Sequence, residues 1–102
     1  MDISEVMYIV SDDNYVDVHL EIKGSREKKV LRSSLKNIES QIVNPFSPIY
    51  RCHRKYLINI QYFKVKEINS RSMTISLQRY HDEIPVSKKY AEHINTILQI
   101  HP

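Results

Sequence analysis

Apolar and polar residues alternate most cleanly from Tyr15 to Ile22, where Val16, Val18, Leu20 and Ile22 fall on one side and Tyr15, Asp17, His19 and Glu21 on the other. Successive side chains of a strand point to opposite faces, so the pattern predicts a half-buried antiparallel strand. Glu5 to Val10 predicts a shorter strand before it. The intervening Ser11-Asp12-Asp13-Asn14 is turn chemistry, because Asn and Asp bond nearby backbone groups and tolerate left-handed conformations. Lys23-Gly24-Ser25 holds the only glycine in the chain and predicts a hairpin onto Lys29-Val30-Leu31-Arg32.

Ser33 or Ser34 caps a predicted short helix in which Leu35, Ile38 and Ile42 recur at three- and four-residue intervals, and Pro45 blocks its continuation. Farther on, Tyr62 to Ile68 reads as a strand, Asn69-Ser70-Arg71 as a turn, and Met73, Ile75 and Leu77 as one face of another strand. Gln78 to Asp82 predicts a loop. Glu83 to Val86 resumes the strand pattern, with Pro85 pointing to a sheet edge because proline cannot donate to a ladder. Ser87 then caps a terminal helix whose Tyr90, Ile94, Ile97 and Leu98 form an apolar stripe. The sum is roughly seven short strands and two short helices, with hairpin connections rather than crossovers. The predicted class is therefore mostly β, with an antiparallel arrangement favoured over a doubly wound one.

A chain of 102 residues fits one domain, large enough to bury roughly 65% of its unfolded surface. No apolar run approaches the roughly 20 residues of a membrane span, and the acidic start has no signal-peptide character. These features and the single cysteine predict a cytoplasmic chain in a reducing compartment. Charge is distributed unevenly. Residues 1–48 carry six Lys/Arg against eight Asp/Glu, whereas residues 49–102 carry nine against four. A basic second half favours an anionic partner, although a charged surface is often only a solvated one.

The densest chemistry lies in Arg51-Cys52-His53-Arg54-Lys55. Strand parity puts Arg51 and His53 on one face and Cys52 on the other, with Arg54 and Lys55 at a turn. Adjacent Cys52 and His53 splay apart, and no CxxC or HxxxH pattern accompanies them, so neither a metal nor another cofactor is expected. Parity also makes Cys52 a core residue rather than a nucleophile, despite the cations beside it. No paired carboxylates and no glycine-rich phosphate loop point to an enzyme. What remains is a set of polar tips, Asn14-Tyr15, Arg51 to Lys55 and Ser87-Lys88-Lys89. Arg and Asn have the geometry for base edges, and Lys, Ser and free helix-start N–H groups suit phosphate.

These residues resemble a known family. Ile49-Tyr50-Arg51-Cys52-His53-Arg54-Lys55-Tyr56-Leu57-Ile58-Asn59 is similar to the F-x-R-x-H-[RK]-S-[YF]-[LI]-V-N core of the LytTR DNA-binding domain. Further pieces follow in that family's order: Val6-Met7-Tyr8-Ile9 with Asn14-Tyr15-Val16, then Ser34 to Glu39, then Ile84-Pro85-Val86-Ser87-Lys88-Lys89-Tyr90. The resemblance spans roughly residues 5–95 and implies a body of stacked antiparallel β-sheets with one or two short helices, and double-stranded DNA as partner, with loops in successive major grooves. It also implies transcription regulation as the output domain of a bacterial two-component response regulator, and two copies on direct or imperfect repeats. On that basis residues 1–102 read as one domain, either a lone output domain or, the favoured expectation, a fragment of a longer regulator with an N-terminal receiver domain. Base-contacting positions fall on Asn14, Arg54, and Ser87 with Lys88. Tyr15, Arg51, His53, Lys55 and Lys89 are the implied phosphate contacts, and Asn59 ties a turn. The chain departs from the family where Lys55 replaces a common serine, where Lys88-Lys89 replaces an arginine-rich pair, and where the last hairpin lacks its glycine. Lysine is a point charge without the planar fork of arginine, so these departures bear on sequence preference. The competing expectation is a protein-interaction module whose basic surface docks an acidic partner without binding DNA.

Overall fold

The computed structural model describes residues 2–100. Eight strands run in the order β1 (Val6–Asp12), β2 (Tyr15–Ile22), β3 (Ser25–Arg32), β4 (Ile49–His53), β5 (Tyr56–Asn59), β6 (Phe63–Ile68), β7 (Met73–Leu77) and β8 (Glu83–Val86). Helix α1 (Leu35–Ile42) separates β3 from β4, and α2 (Lys88–Ile100) follows β8. Short 3₁₀ turns lead into β1 (Ile3–Glu5) and β6 (Ile60–Tyr62). All strand pairs are antiparallel, in a five-stranded sheet of order β3-β2-β1-β5-β4 and a three-stranded sheet of order β6-β7-β8. The expected class, mostly β in antiparallel sheets with two helices, is the observed one.

The larger sheet is covered on both faces. Val6, Ile9, Val16, Val18, Leu20 and Leu57 bury one face against Leu35 and Ile38 of α1. Met7, Tyr8 and Ile58 bury the other against Phe63, Ile75 and Ile84 of the smaller sheet and Ile94, Ile97 and Leu98 of α2. That burial on two sides explains why Val6 to Ile9 are four consecutive buried residues instead of alternating ones. A bulge at Met7 shifts the register between Val6↔Leu20 and Tyr8↔His19 and so turns Val6 and Tyr8 to opposite faces.

One boundary differs from the sequence pattern. Strand β3 begins at Ser25, four residues before the predicted Lys29 to Arg32, because register with β2 runs unbroken from Ile22↔Ser25 to Tyr15↔Arg32. Its residues Ser25 to Val30 are exposed on both faces of a free edge, so no apolar alternation announces them. Lysines along such an edge discourage pairing with another chain. The hairpin turn is two residues, Lys23 (φ 52°) and Gly24 (φ 81°), a left-handed pair that matches strand twist. Ser34, of the two candidate serines, caps α1 by accepting the Asn37 N–H at 3.0 Å. Pro85 lies on β8, an edge strand, as expected.

A polar clamp joins the sheets at the end carrying the β2–β3 turn and the β7–β8 loop. Asp82 accepts both arms of Arg26 (2.6 and 2.5 Å) and the Tyr8 hydroxyl (2.6 Å). Glu21 accepts Arg79 (2.9 Å) and the Tyr80 hydroxyl (3.0 Å). The Arg26 fork, with Tyr8 adding to it, holds the Asp82 carboxyl at about 2 against partial burial. Burial, then Asp82, raises the Tyr8 phenol. A depressed carboxyl stabilises the fold above its unfolded value of 3.8 and loses that contribution as pH falls through about 2. Asp82→Asn is expected to cost about 1–3 kcal/mol at neutral pH in urea unfolding. The gap between variant and parent should close as pH drops from 3.8 toward 2; a gap constant over that range argues against the clamp.

Candidate nucleic-acid interface

The end opposite the clamp collects the polar tips. Val10 of β1 pairs with Tyr56 at the start of β5, and the Ser11 N–H donates to the Lys55 carbonyl at 2.9 Å. The β1–β2 loop, Asp13-Asn14, therefore lies beside the β4–β5 turn, Arg54-Lys55. Asp13 takes the left-handed conformation there (φ 57°). On the other side, the free edge of β4 offers its Cys52 carbonyl, which accepts the Ser87 N–H at 3.0 Å. That bond places the start of α2 next to the basic turn. The Tyr50 ring against His93 (centroids 5.7 Å apart, edge-on) adds a second contact between β4 and α2. Asn14, Arg54 and Lys88 are thus carried by three neighbouring segments.

Strand parity across Cys52 is not what the sequence predicts. Arg51 pairs with Leu57 and His53 with the adjacent Tyr56, so Cys52 is a bulge and Arg51 and His53 face opposite sides of the sheet. Arg51 turns toward α1. Its Nη1 meets Glu39 Oε1 at 2.8 Å, Nε donates to the His53 carbonyl at 2.9 Å, and Nη2 donates to the Arg54 carbonyl at 2.7 Å. Every nitrogen of the guanidinium is occupied by the protein. Arg51 therefore shapes the turn that displays Arg54 and Lys55.

His53 packs edge-on against Tyr56 (5.7 Å), and its Nδ1 accepts the Lys55 N–H at 3.1 Å. Burial, followed by the charges of Arg54, Lys55 and Arg51, lowers its pKa. Cys52 is fully buried between the sheets, as expected, and burial pushes its thiol up to about 12 despite Arg51. Asn14, Tyr15, Arg54, Lys55, Lys88 and Lys89 are exposed. Ser87 supplies backbone, its carbonyl accepting the Tyr90 N–H at 2.9 Å, and its hydroxyl has no bond among the described residues. Asn59 ties a turn as expected, accepting the Gln61 N–H at 2.9 Å.

Four ion pairs occur among the described residues, on Arg26, Arg51, Lys66 and Arg79. None uses Arg54, Lys55, Lys88 or Lys89, so the tips keep their charge for another molecule. Exposed Asp12 and Asp13 stand within the row and divide it into basic segments. Sequence reading missed Arg32, the cross-strand neighbour of Tyr15 at the end of β3. The hairpin register at Lys23-Gly24 carries that information, since it fixes which residue meets Tyr15.

The family model for the LytTr DNA-binding domain matches residues 1–99. The chain belongs to this family. A solved structure, the LytTr DNA-binding domain assigned to a methyl-accepting/DNA response regulator of Bacillus cereus, superposes with a TM-score of 0.76 at 24% identity, covering 96% of this chain and 84% of that one. A search of curated proteins finds no match. The family is one of DNA-binding domains, and no helix among the described residues is long and apolar enough to cross a membrane.

Within this LytTR domain Arg51→Ala is expected to cost about 1–2 kcal/mol by urea unfolding, for the loss of one ion pair and two carbonyl contacts. Amide exchange at Lys55 should accelerate with it. Arg51→Lys should recover little, because an ammonium cannot bridge Glu39 and two carbonyls at once. Full recovery by lysine argues that only charge matters at this position.

Proposed function

We propose that this LytTR domain binds duplex DNA sequence-specifically and regulates transcription as the output domain of a response regulator. The observation that carries the reading is the stitching of three separate tips at one end of the sheets, with their cations unpaired. Arg54 reads bases by its fork, with Asn14 and Ser87-Lys88 as the flanking readers. Tyr15, His53, Lys55 and Lys89 contact phosphates. Arg51, with its guanidinium held by Glu39 and the turn, acts on DNA chiefly by positioning Arg54. A receiver domain on the N-terminal side supplies the signal, and two copies occupy direct or imperfect repeats.

Selection of bound genomic fragments identifies the site and its half-site spacing, and anisotropy titrations on it test the rest. With about six to eight phosphates neutralised, log affinity should fall with log salt at a slope of roughly −5 to −7. Arg54→Ala should cost about 1–3 kcal/mol on the selected site and relax specificity, while Lys89→Ala weakens all duplexes about equally. Equal losses on selected and random duplexes for both variants reject that division of roles. Salt-independent association, or capture of an acidic protein with no retarded DNA band, rejects the reading as a whole.

A further inference from the structure

We propose that Arg32 and Arg71, neither of them part of the motif that identifies the family, are the outer phosphate contacts of the DNA interface. The inference rests on the DNA-binding reading above and extends it. The six arginines divide cleanly. Arg26, Arg51 and Arg79 are each bound to a carboxylate. Arg32, Arg54 and Arg71 are exposed and make no ion pair among the described residues. All three of these stand at the end of the sheets that carries the tips.

Topology places Arg32 there through its register with Tyr15, the residue that follows the Asp13-Asn14 loop. Arg71 arrives by a different route. It occupies the β6–β7 turn, and Met73 beyond that turn pairs with Val86, the last residue of β8 before Ser87-Lys88. A cleft of about 360 Å³ opens between this turn and α2, lined by Asn69, Ser70, Arg71 and Ser72 on one side and Val86 and Lys88 on the other. Asn69 fixes the turn, its Oδ1 accepting the N–H groups of Arg71 (2.8 Å) and Ser72 (2.9 Å). Two cations and two hydroxyls thus line the polar part of a recess that Ile68, Met73 and Ala91 complete, a rim chemistry that suits a phosphodiester oxygen.

Strands are spaced by roughly 5 Å, and β3 and β4 are the two edges of the larger sheet. Four strand spacings separate β3 from β4, so the row from Arg32 to the β4 edge, where Ser87 and the Arg71 turn join it, extends roughly 20 Å. Such a row is wider than one major groove, about 12 Å across. Its ends fall on the phosphate backbone beyond the bases that the central tips address. Phosphate contacts at the flanks fix orientation and register on the duplex without reading sequence.

The test uses Arg32→Gln, Arg71→Gln and their combination, with Arg79→Gln as a cation control at the opposite end. Each is titrated against a fluorescein-labelled random-sequence 25-bp duplex and against the selected site across a salt series. Each single change at positions 32 and 71 should weaken both duplexes by about tenfold and make the salt slope shallower by about 1. The double change should approach a hundredfold, because the sites are distant enough to add. Arg79→Gln should leave affinity and slope unchanged. Parental binding with unaltered affinity and slope in the Arg32 and Arg71 variants overturns this inference alone. Loss confined to the selected site overturns it too, since that is the behaviour of a base contact. A parent that binds neither duplex overturns the DNA-binding reading together with it.

Discussion

An edge strand leaves a row of backbone groups without partners, and in this domain the free edge of β4 is answered at Cys52 by the N–H of Ser87. That 3.0 Å bond is, among the described residues, the one backbone tie between the five-stranded sheet and the segment entering α2. With it, the start of a 13-residue helix is held against the turn that carries Arg54 and Lys55. Burial of Cys52 excludes water from competing for its carbonyl, which is where a hydrogen bond contributes most. The residue's role is thus mechanical: a small apolar side chain lets the two sheets close while its backbone joins them.

Much of the architecture was legible because one-sided burial writes itself into alternation. Strand β2 and the apolar stripes of both helices show it, and their expected residues fall where the pattern puts them. Two physical circumstances erase the signal elsewhere. Residues Val6 to Ile9 sit between two cores, so every position is apolar, and Ser25 to Val30 lie on an exposed edge, so hardly any position is. The bulge at Cys52 erases parity itself. One inserted residue sends Arg51 and His53 to opposite faces, and no property of the R-C-H tripeptide announces it. The candidate interface was legible as a set of motifs but not as a division of labour. Arg51 looks like its neighbours in sequence and differs from them because α1, twelve residues earlier, brings Glu39 to it.

The charge imbalance between the halves of the chain acquires a spatial meaning in the fold. Acidic residues of the first half, Glu21 and Glu39, neutralise basic residues of the second, Arg79 and Arg51, and Asp82 neutralises Arg26 in the other direction. These pairs lock the sheets and the turn. Of the cations left over, Arg32, Arg54, Lys55, Arg71, Lys88 and Lys89 gather at the tip end, with Asp12, Asp13 and Glu67 as acidic residues among them. A modest net charge of +3 therefore coexists with a locally strong positive edge.

The bond between the Lys55 N–H and His53 Nδ1 selects one tautomer of the imidazole. An amide can only donate, so Nδ1 carries the lone pair and Nε2 carries the proton. Neutral His53 is then a pure donor toward anything that approaches Nε2. It is matched to guanine O6 or N7, to adenine N7 or to a phosphate oxygen, and mismatched to the amino group of cytosine. A hairpin turn of two residues thereby sets the polarity of a ring that sequence alone leaves free to accept or to donate.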